Sequence, residues 1–275
     1  MKKLVILTVL FMSAGVICAE EKSGTIWQEL RPQTSEAGPQ IYYFRYKEPG
    51  LMEDKGIFYG VTAAYTYRGW VPAYPENINK LKWMLRAEAM VSWGQVDYDG
   101  ALQNGTPYKA KNNNDISTDL RMMLGLDFPG TQSNNTPYIG IAYRYLEDDG
   151  SHDPSGYNRQ ANYVYAPMGI TLQGQLNSDW ILGANAEFDL FITGQQKSRL
   201  SDVGLEDVKN RQKSGYGARG SVRFEKTGKK VNFIIEPFIR YWNINDSEIE
   251  ETSGISGLEP KNNTTEYGVN LLWKF

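Results

Sequence analysis

The chain has 275 residues, 29 basic and 32 acidic side chains, one His and one Cys. A formal charge of −3 excludes a phosphate-backbone binder, and a single Cys excludes a disulfide framework or a cysteine zinc site. Aromatics reach 13%, with 18 Tyr and 27 Gly, and beyond the amino terminus no apolar run approaches the about 20 residues of a transmembrane helix.

The amino terminus reads Met1-Lys2-Lys3, an apolar run Leu4–Ile17, then Cys18-Ala19-Glu20. A basic start, a short apolar core and a small residue before a polar switch predict a signal peptide over 1–19, cleaved after Ala19. Lipid attachment at Cys18 is disfavoured, because Ile17 is not the small residue such signals place before the cysteine. Removal takes Lys2, Lys3 and Cys18 with it, leaving 27 basic against 32 acidic residues and no thiol chemistry. Residues 20–40 are polar with two Pro and read as a periplasmic lead-in or lumen segment, so that 41–275 forms the folded body.

From there the chain alternates with period two, the pattern of a strand whose faces meet different solvents. The first predicted strand is Ile41–Lys47 and the second Ile57–Arg68, with Ile57, Tyr59, Val61, Ala63, Tyr65 and Tyr67 on one face. The third, Leu81–Asp97, sets Trp83, Leu85, Ala87, Ala89, Val91 and Trp93 against Lys82, Met84, Arg86, Glu88, Met90 and Ser92; a helix would scatter those charges around its axis. The fourth, Ile116–Phe128, alternates almost without fault. Pro137–Leu146 is the fifth. The sixth, Tyr157–Leu176, is interrupted by Pro167, where a bulge is expected. Trp180–Ile192, Gly215–Lys226 and Val231–Ile244 are the seventh, eighth and ninth, and Thr265–Phe275 is the tenth.

Connections after even-numbered strands are short, while those after the third, seventh and ninth run near twenty residues. That asymmetry, with polar-in and apolar-out strands, predicts an all-β fold: an antiparallel up-and-down transmembrane barrel of ten strands with periplasmic short turns. Closure removes free edges, which is how a sheet crosses lipid. In the final strand Tyr267, Val269, Leu271, Trp273 and Phe275 share one face. This strand resembles the carboxy-terminal strand of bacterial outer-membrane β-barrel proteins, and the resemblance implies an outer-membrane location, a signal read there by the assembly machinery, and lipid and lipopolysaccharide as surroundings.

The inward set is charged: Arg45, Arg68, Lys82, Arg86, Arg121, Arg144, Arg219, Arg223 and Arg240 against Glu88, Asp119, Asp127, Glu187, Asp189, Glu225, Glu236 and Glu266. Ten strands lie near the eight that side chains just fill, far from the sixteen that leave a channel. Interleaved Arg–carboxylate pairing is therefore expected, in a narrow porin-like or structural barrel. The near-balance of sign argues against anion selectivity.

In size and strand number the chain is also similar to the omptins, outer-membrane proteases that use an Asp pair and an Asp–His dyad. Asp97-Tyr98-Asp99 lies near that family's Asp pair, but the segment 194–213, where the dyad belongs, has no His; the one His, His152, falls in DDGSHDPSG. Catalysis is not expected, since the usual proton carrier is misplaced. The acidic residues Asp246, Glu248, Glu250, Glu251 and Glu259, and likewise Asp148, Asp149 and Asp153, read as solvated loop carboxylates with no calcium spacing. No cofactor, metal site, nucleotide fingerprint or nucleic-acid partner is expected; small solutes passing the barrel, or ligands adhering to the long loops, are the partners left.

Overall fold

The computed structural model describes residues 31–71, 81–101, 105–252 and 255–275. The predicted signal peptide, the start of the lead-in and most of the connection after the second strand lie outside the described residues. In chain order the strands are β1 (Gln33–Glu48), β2 (Met52–Trp70), β3 (Lys82–Ala101), β4 (Pro107–Pro129), β5 (Ser133–Asp149), β6 (Asn158–Gln175), β7 (Trp180–Ser198), β8 (Val208–Gln212), β9 (Gly215–Lys226), β10 (Asn232–Ile244), β11 (Glu250–Thr252), β12 (Ile255–Gly257) and β13 (Asn262–Lys274).

Each long strand pairs antiparallel with the next, β6 joins β7, and β13 returns to β1 to close a ten-stranded barrel. The seam runs through Ile41↔Val269 and Tyr43↔Tyr267, and the Phe275 amide donates to the Ser35 carbonyl at 2.8 Å. β8 continues the line of β9 and pairs with β7 above it. β11 and β12 form a small separate hairpin in the connection between β10 and β13.

Strands of twelve to twenty-three residues in the ring exceed what a membrane requires on several sides; about 9–11 tilted residues suffice. Their polar upper ends explain two differences from the sequence reading. The described residues of the Asn-rich stretch 98–115 are largely paired strand, with an irregularity opposite Asp97 where Asn112 takes φ 59°. The charged stretch 194–213 is built from the top of β7, a 3-10 turn (Leu200–Val203) and β8. Above lipid the outer face of a strand is wet, so its residues turn polar and the hydropathy alternation fades although pairing continues. At the other end β1 begins at Gln33, so the last part of the expected lead-in already pairs in the sheet.

The outer face carries an apolar belt that includes Ile57, Val61, Leu120, Met122, Leu124, Ile139, Ile141, Leu190 and Ile239, all exposed. Aromatic pairs flank it: Tyr67–Trp83 and Phe233–Trp273 toward the lower, short-turn rim, and Tyr43–Tyr267 and Phe188–Tyr216 higher up. Pro167 passes through β6 without a bulge, opposite Asp189; the irregularity lies instead at Val164/Tyr165, where β7 skips Ile192. That extra residue keeps Phe191 inside while Gly194 and Gln196 above it also point inward. Arg45 was expected in the lumen but faces out and pairs with Glu53 at 2.6 Å, because Tyr42, Phe44 and Tyr46 hold the inward parity of β1.

Candidate functional site

Alternate residues of ten strands converge on the lumen, and the structure sets their charged side chains in tiers. Near the lower rim Asp127 is fully buried; it accepts from Arg68 Nε at 2.8 Å, Asn134 Nδ2 at 3.0 Å and Thr136 Oγ1 at 2.6 Å. Glu225 accepts from Asn232 Nδ2 at 2.5 Å and Lys274 Nζ at 2.9 Å.

Above this a single chain of ion pairs crosses the barrel. Glu236 faces Arg223 at 3.6 Å, and Arg223 reaches Glu36 at 2.7 Å. Arg86 bridges Glu36 at 3.1 Å and Glu88 at 2.6 Å, and also donates to Thr66 Oγ1 at 2.9 Å. Arg121 joins Glu88 at 2.5 Å to Glu187, whose carboxylate also accepts from Tyr138 at 2.6 Å. Arg219 then connects Glu187 at 3.2 Å, Asp189 at 2.9 Å and Asp119 at 2.6 Å. Four guanidiniums thus alternate with carboxylates from β1, β3, β7, β10 and β4. Separately, Glu266 accepts from Arg144 at 2.5 Å and pairs with Arg240 at 2.8 Å. All the carboxylates and arginines expected in the lumen, apart from Arg45, meet in these contacts. A buried charge is tolerable when paired and hydrogen-bonded on several sides, and planar guanidinium forks suit that role.

A cavity of about 190 Å³ lies within this lattice, walled by Glu36, Arg86, Glu88, Arg121, Arg219 and Arg223 among others. Toward the long-loop rim it gives way to an aromatic layer. Phe58 packs on Tyr42 at 5.3 Å and Phe44 at 4.7 Å; Trp242 packs on Tyr165 at 4.8 Å and Tyr163 at 6.4 Å, with Phe191 at 5.5 Å from Tyr163. These rings belong to one buried cluster with Val96, Leu146 and Ile244. Arg240 lies 4.9 Å from the Tyr42 ring and Arg144 5.7 Å from the Trp242 ring, so cations cap the layer from below.

Sequence reasoning missed this layer because it read the inward face for charge alone. The signal was present in β1, where Tyr42, Phe44 and Tyr46 share parity with Gln40 and Glu36. Glu36 was missed because it fell in the expected lead-in. Glu259, expected in water, is buried and pairs with Arg159 at 2.7 Å; Asp148, likewise, faces inward on β5. The Ser247 amide donates to the Glu259 carbonyl at 2.9 Å, which brings the two ends of the β10–β13 connection together and carries Glu259 inside.

Asp97 and Asp99 stand on the outer face of β3, and Asp99 pairs with Lys109 at 2.6 Å. His152 is exposed in the β5–β6 loop. The residues of the omptin resemblance are therefore not brought together.

No family model and no curated protein matches the sequence. Among solved structures the chain is similar to the outer-membrane protein OprG from Pseudomonas aeruginosa, at 11% identity over 88% of this chain and 95% of that one, TM-score 0.38. It is also similar to the translocator domain of autotransporter NalP from Neisseria meningitidis, at 10% identity over 89% of each chain, TM-score 0.40. A third is Ail, the attachment invasion locus protein of Yersinia pestis, at 11% identity over 90% of this chain and all of that one, TM-score 0.34. The chain's own closed ten-stranded sheet, lipid-facing belt, aromatic flanks and polar interior make it an integral β-barrel of the bacterial outer membrane.

Proposed function

We propose that this barrel is a narrow, porin-like or structural one whose lumen is closed at rest, and that it is not an enzyme. The aromatic layer carries this reading: Tyr42, Phe44, Phe58, Tyr163, Tyr165, Phe191 and Trp242 are buried across the lumen beneath the long-loop rim. The ion-pair chain below supports it, because each guanidinium would have to abandon two carboxylates to make way for a solute. Single-channel recording of the protein in a planar bilayer tests it. The expected record is silent, or shows only brief, very small steps. Stable steps of large conductance would overturn closure.

Lipopolysaccharide around the belt, and an assembly machinery reading Tyr267, Val269, Leu271, Trp273 and Phe275, belong to the same proposal. All five point out of the barrel at the β1–β13 seam, where they are open to a partner before closure. Replacing Tyr267 and Trp273 together by Asn is expected to lower membrane-inserted protein in cells; unchanged insertion would remove the signal role.

A second reading, a surface that binds ligands, is favoured by β3 and β4, whose upper halves rise as a paired polar hairpin above the belt. Trimming residues 99–108 would abolish such binding and leave the barrel folded.

A further inference from the structure

At the mouth, above the aromatic layer, carboxylates outnumber their counterions. Arg159 donates to Glu48 and, at 2.7 Å, to Glu259, with its guanidinium 5.5 Å from the Tyr46 ring. Tyr46 donates to both carboxylates, at 3.0 and 3.3 Å. Around a cavity of about 20 Å³ beside Arg159 stand Asp54, Asp115 and Asp148. Asp115 and Asp148 are directly opposite each other on β4 and β5. One oxygen of each of the three is buried without a hydrogen-bond partner.

Around this cavity stand Tyr46 from β1, Asp54 from β2, Asp115 from β4, Asp148 from β5 and Arg159 from β6, with Glu48 of β1 and Tyr98 of β3 close to the same groups. Tyr157 and Asp149 flank them from the β5–β6 side, Glu53 from β2, Gln196 from β7, and Glu259 enters from the loop above. Three carboxylates and one guanidinium line the cavity, and two further carboxylates, Glu48 and Glu259, share that guanidinium. Like charges opposed across a strand pair destabilise it, and two carboxylates sharing a site cannot both ionise cheaply. Among the described residues no three acidic or histidine side chains converge as a metal ion would need. Protons are the counterions this geometry suits.

We propose that the mouth carries a proton-dependent latch: Asp54, Asp115 and Asp148 hold shared protons beside Arg159, and losing those protons releases Glu259 and the loop it anchors. The reason is competition. Once ionised, the three aspartates draw on the same guanidinium as Glu48 and Glu259. Four of the five carboxylates are fixed to strands of the closed barrel. Glu259 alone sits on a connection, tied down by its bonds with Ser247 and Arg159, so it is the group that leaves. Asp54 and Asp148 lie above the lipid-facing belt, which on β2 ends near Ile57. Burial first, and then for Asp54 the Asp148 charge, pushes both above the ordinary carboxylate range. The sign follows: the latch holds at low pH and loosens as pH rises. It does not depend on whether the lumen below conducts.

The test is a nitroxide at Leu258→Cys in the full chain, with Cys18→Ser to remove the native thiol. Leu258 is exposed beside Glu259. Spin mobility is recorded from pH 5 to 9 alongside circular dichroism. The expected result is an immobile label at pH 5 and a mobile fraction growing several-fold by pH 9. In the triple variant Asp54→Asn, Asp115→Asn, Asp148→Asn the label stays immobile throughout; with Arg159→Gln it is mobile throughout. A wild-type spectrum unchanged across the range, or a triple variant keeping the wild-type profile, would overturn the latch. Should the triple variant lose its strand signal, Asp54→Asn alone takes its place: with one competitor for Arg159 gone, its mobile fraction at pH 9 falls well below that of the wild type, and an unchanged fraction would overturn the latch.

Discussion

Arg144 on β5 and Glu266 on β13 meet at 2.5 Å in the middle of the lumen, with side chains 1% and 0% exposed. They are 122 positions apart in sequence and lie on opposite sides of the barrel, so their contact spans it. Glu266 also holds Arg240 at 2.8 Å, which makes the carboxylate the centre of the triad. Removing it leaves two buried guanidiniums facing each other. Glu266→Gln is expected to cost about 3–5 kcal/mol, the usual loss for breaking a buried pair on one side. Arg144→Met should cost less, because Arg240 still compensates Glu266. The double variant should recover part of the loss. Urea unfolding from lipid vesicles measures all three, and a Glu266→Gln protein as stable as wild type would contradict the arrangement.

The aromatic layer makes a second prediction. Trp242 fills the gap between Tyr163 and Tyr165, and Arg144 rests near its ring. Trp242→Ala with Tyr163→Ala removes two large rings from one side of the lumen. Channel recordings should then show discrete steps where wild type shows none. If the double variant is folded and equally silent, the ion-pair lattice below is itself the seal.

Much of this fold was legible in the sequence, and the reason is the solvent. Between the aromatic flanks one strand face meets hydrocarbon and the other meets charge, so residues such as Leu120, Met122 and Leu124 alternate strictly with Asp119, Arg121 and Met123. The charged lumen residues follow from that parity alone, Arg45 excepted. Its strand, β1, alternates large aromatics inward with Arg45 and Tyr43 outward, so polarity gave the wrong face. The pairings were not legible. Nothing in local spacing states that Arg219 reaches Asp119 or that Glu36 joins Arg86 to Arg223, because shear and closure decide which tiers meet. The mouth was hidden for the opposite reason: above the belt the outer face is polar too, so no apolar stripe marks which side is inside, and Asp54, Asp148 and Glu259 look like any loop carboxylates.

Close approach along the closing seam makes a third prediction. Gly268 on β13 pairs with Tyr42, and a Cβ there would stand 2.2 Å from the Ile41 carbonyl oxygen and 2.4 Å from the Tyr42 Cβ. Neither atom can yield without shifting the β1 backbone. Gly268→Val is expected to destabilise by about 1–3 kcal/mol, as overpacking does. It should also lower the yield of closed barrel on refolding. Refolding efficiency and urea midpoint read this directly; an unchanged midpoint would mean that the seam is looser than its register implies.

A pH effect is expected in the connection between β7 and β8, outside the membrane. Lys197 Nζ lies 2.9 Å from Asp207, and the Ser201 hydroxyl and amide donate to the same side chain at 2.7 and 3.1 Å. The Lys197 bond first, then those from Ser201, hold the Asp207 carboxyl down to about 2. A depressed carboxylate stabilises its fold above the unfolded value, about 3.9, and loses that contribution as pH falls through its folded value. The Leu200–Val203 turn should therefore stay ordered at pH 4 and loosen near pH 2. The Ser201 amide resonance reports it, with Asp207→Asn as the control that removes the transition. A midpoint near 4 would show that the clasp does not form.

The belt itself is open to a direct test. Met122 is 54% exposed on β4, about midway between Ile116 and Phe128. In water such a side chain would tolerate a charge at almost no cost. In a bilayer the same position is the most apolar point of the wall, and an Arg there costs about 2–4 kcal/mol, falling to about 0–1 near the interfaces. Met122→Arg is therefore expected to destabilise the barrel in vesicles by that amount. Phe128→Arg, at the lower edge of the belt, should cost about 1 kcal/mol or less for its charge, with some further loss from the missing ring. Comparing the two variants by urea unfolding separates depth from mutation chemistry. Equal losses at both positions would place the membrane elsewhere on the barrel; the larger loss at Met122 fixes the midplane there.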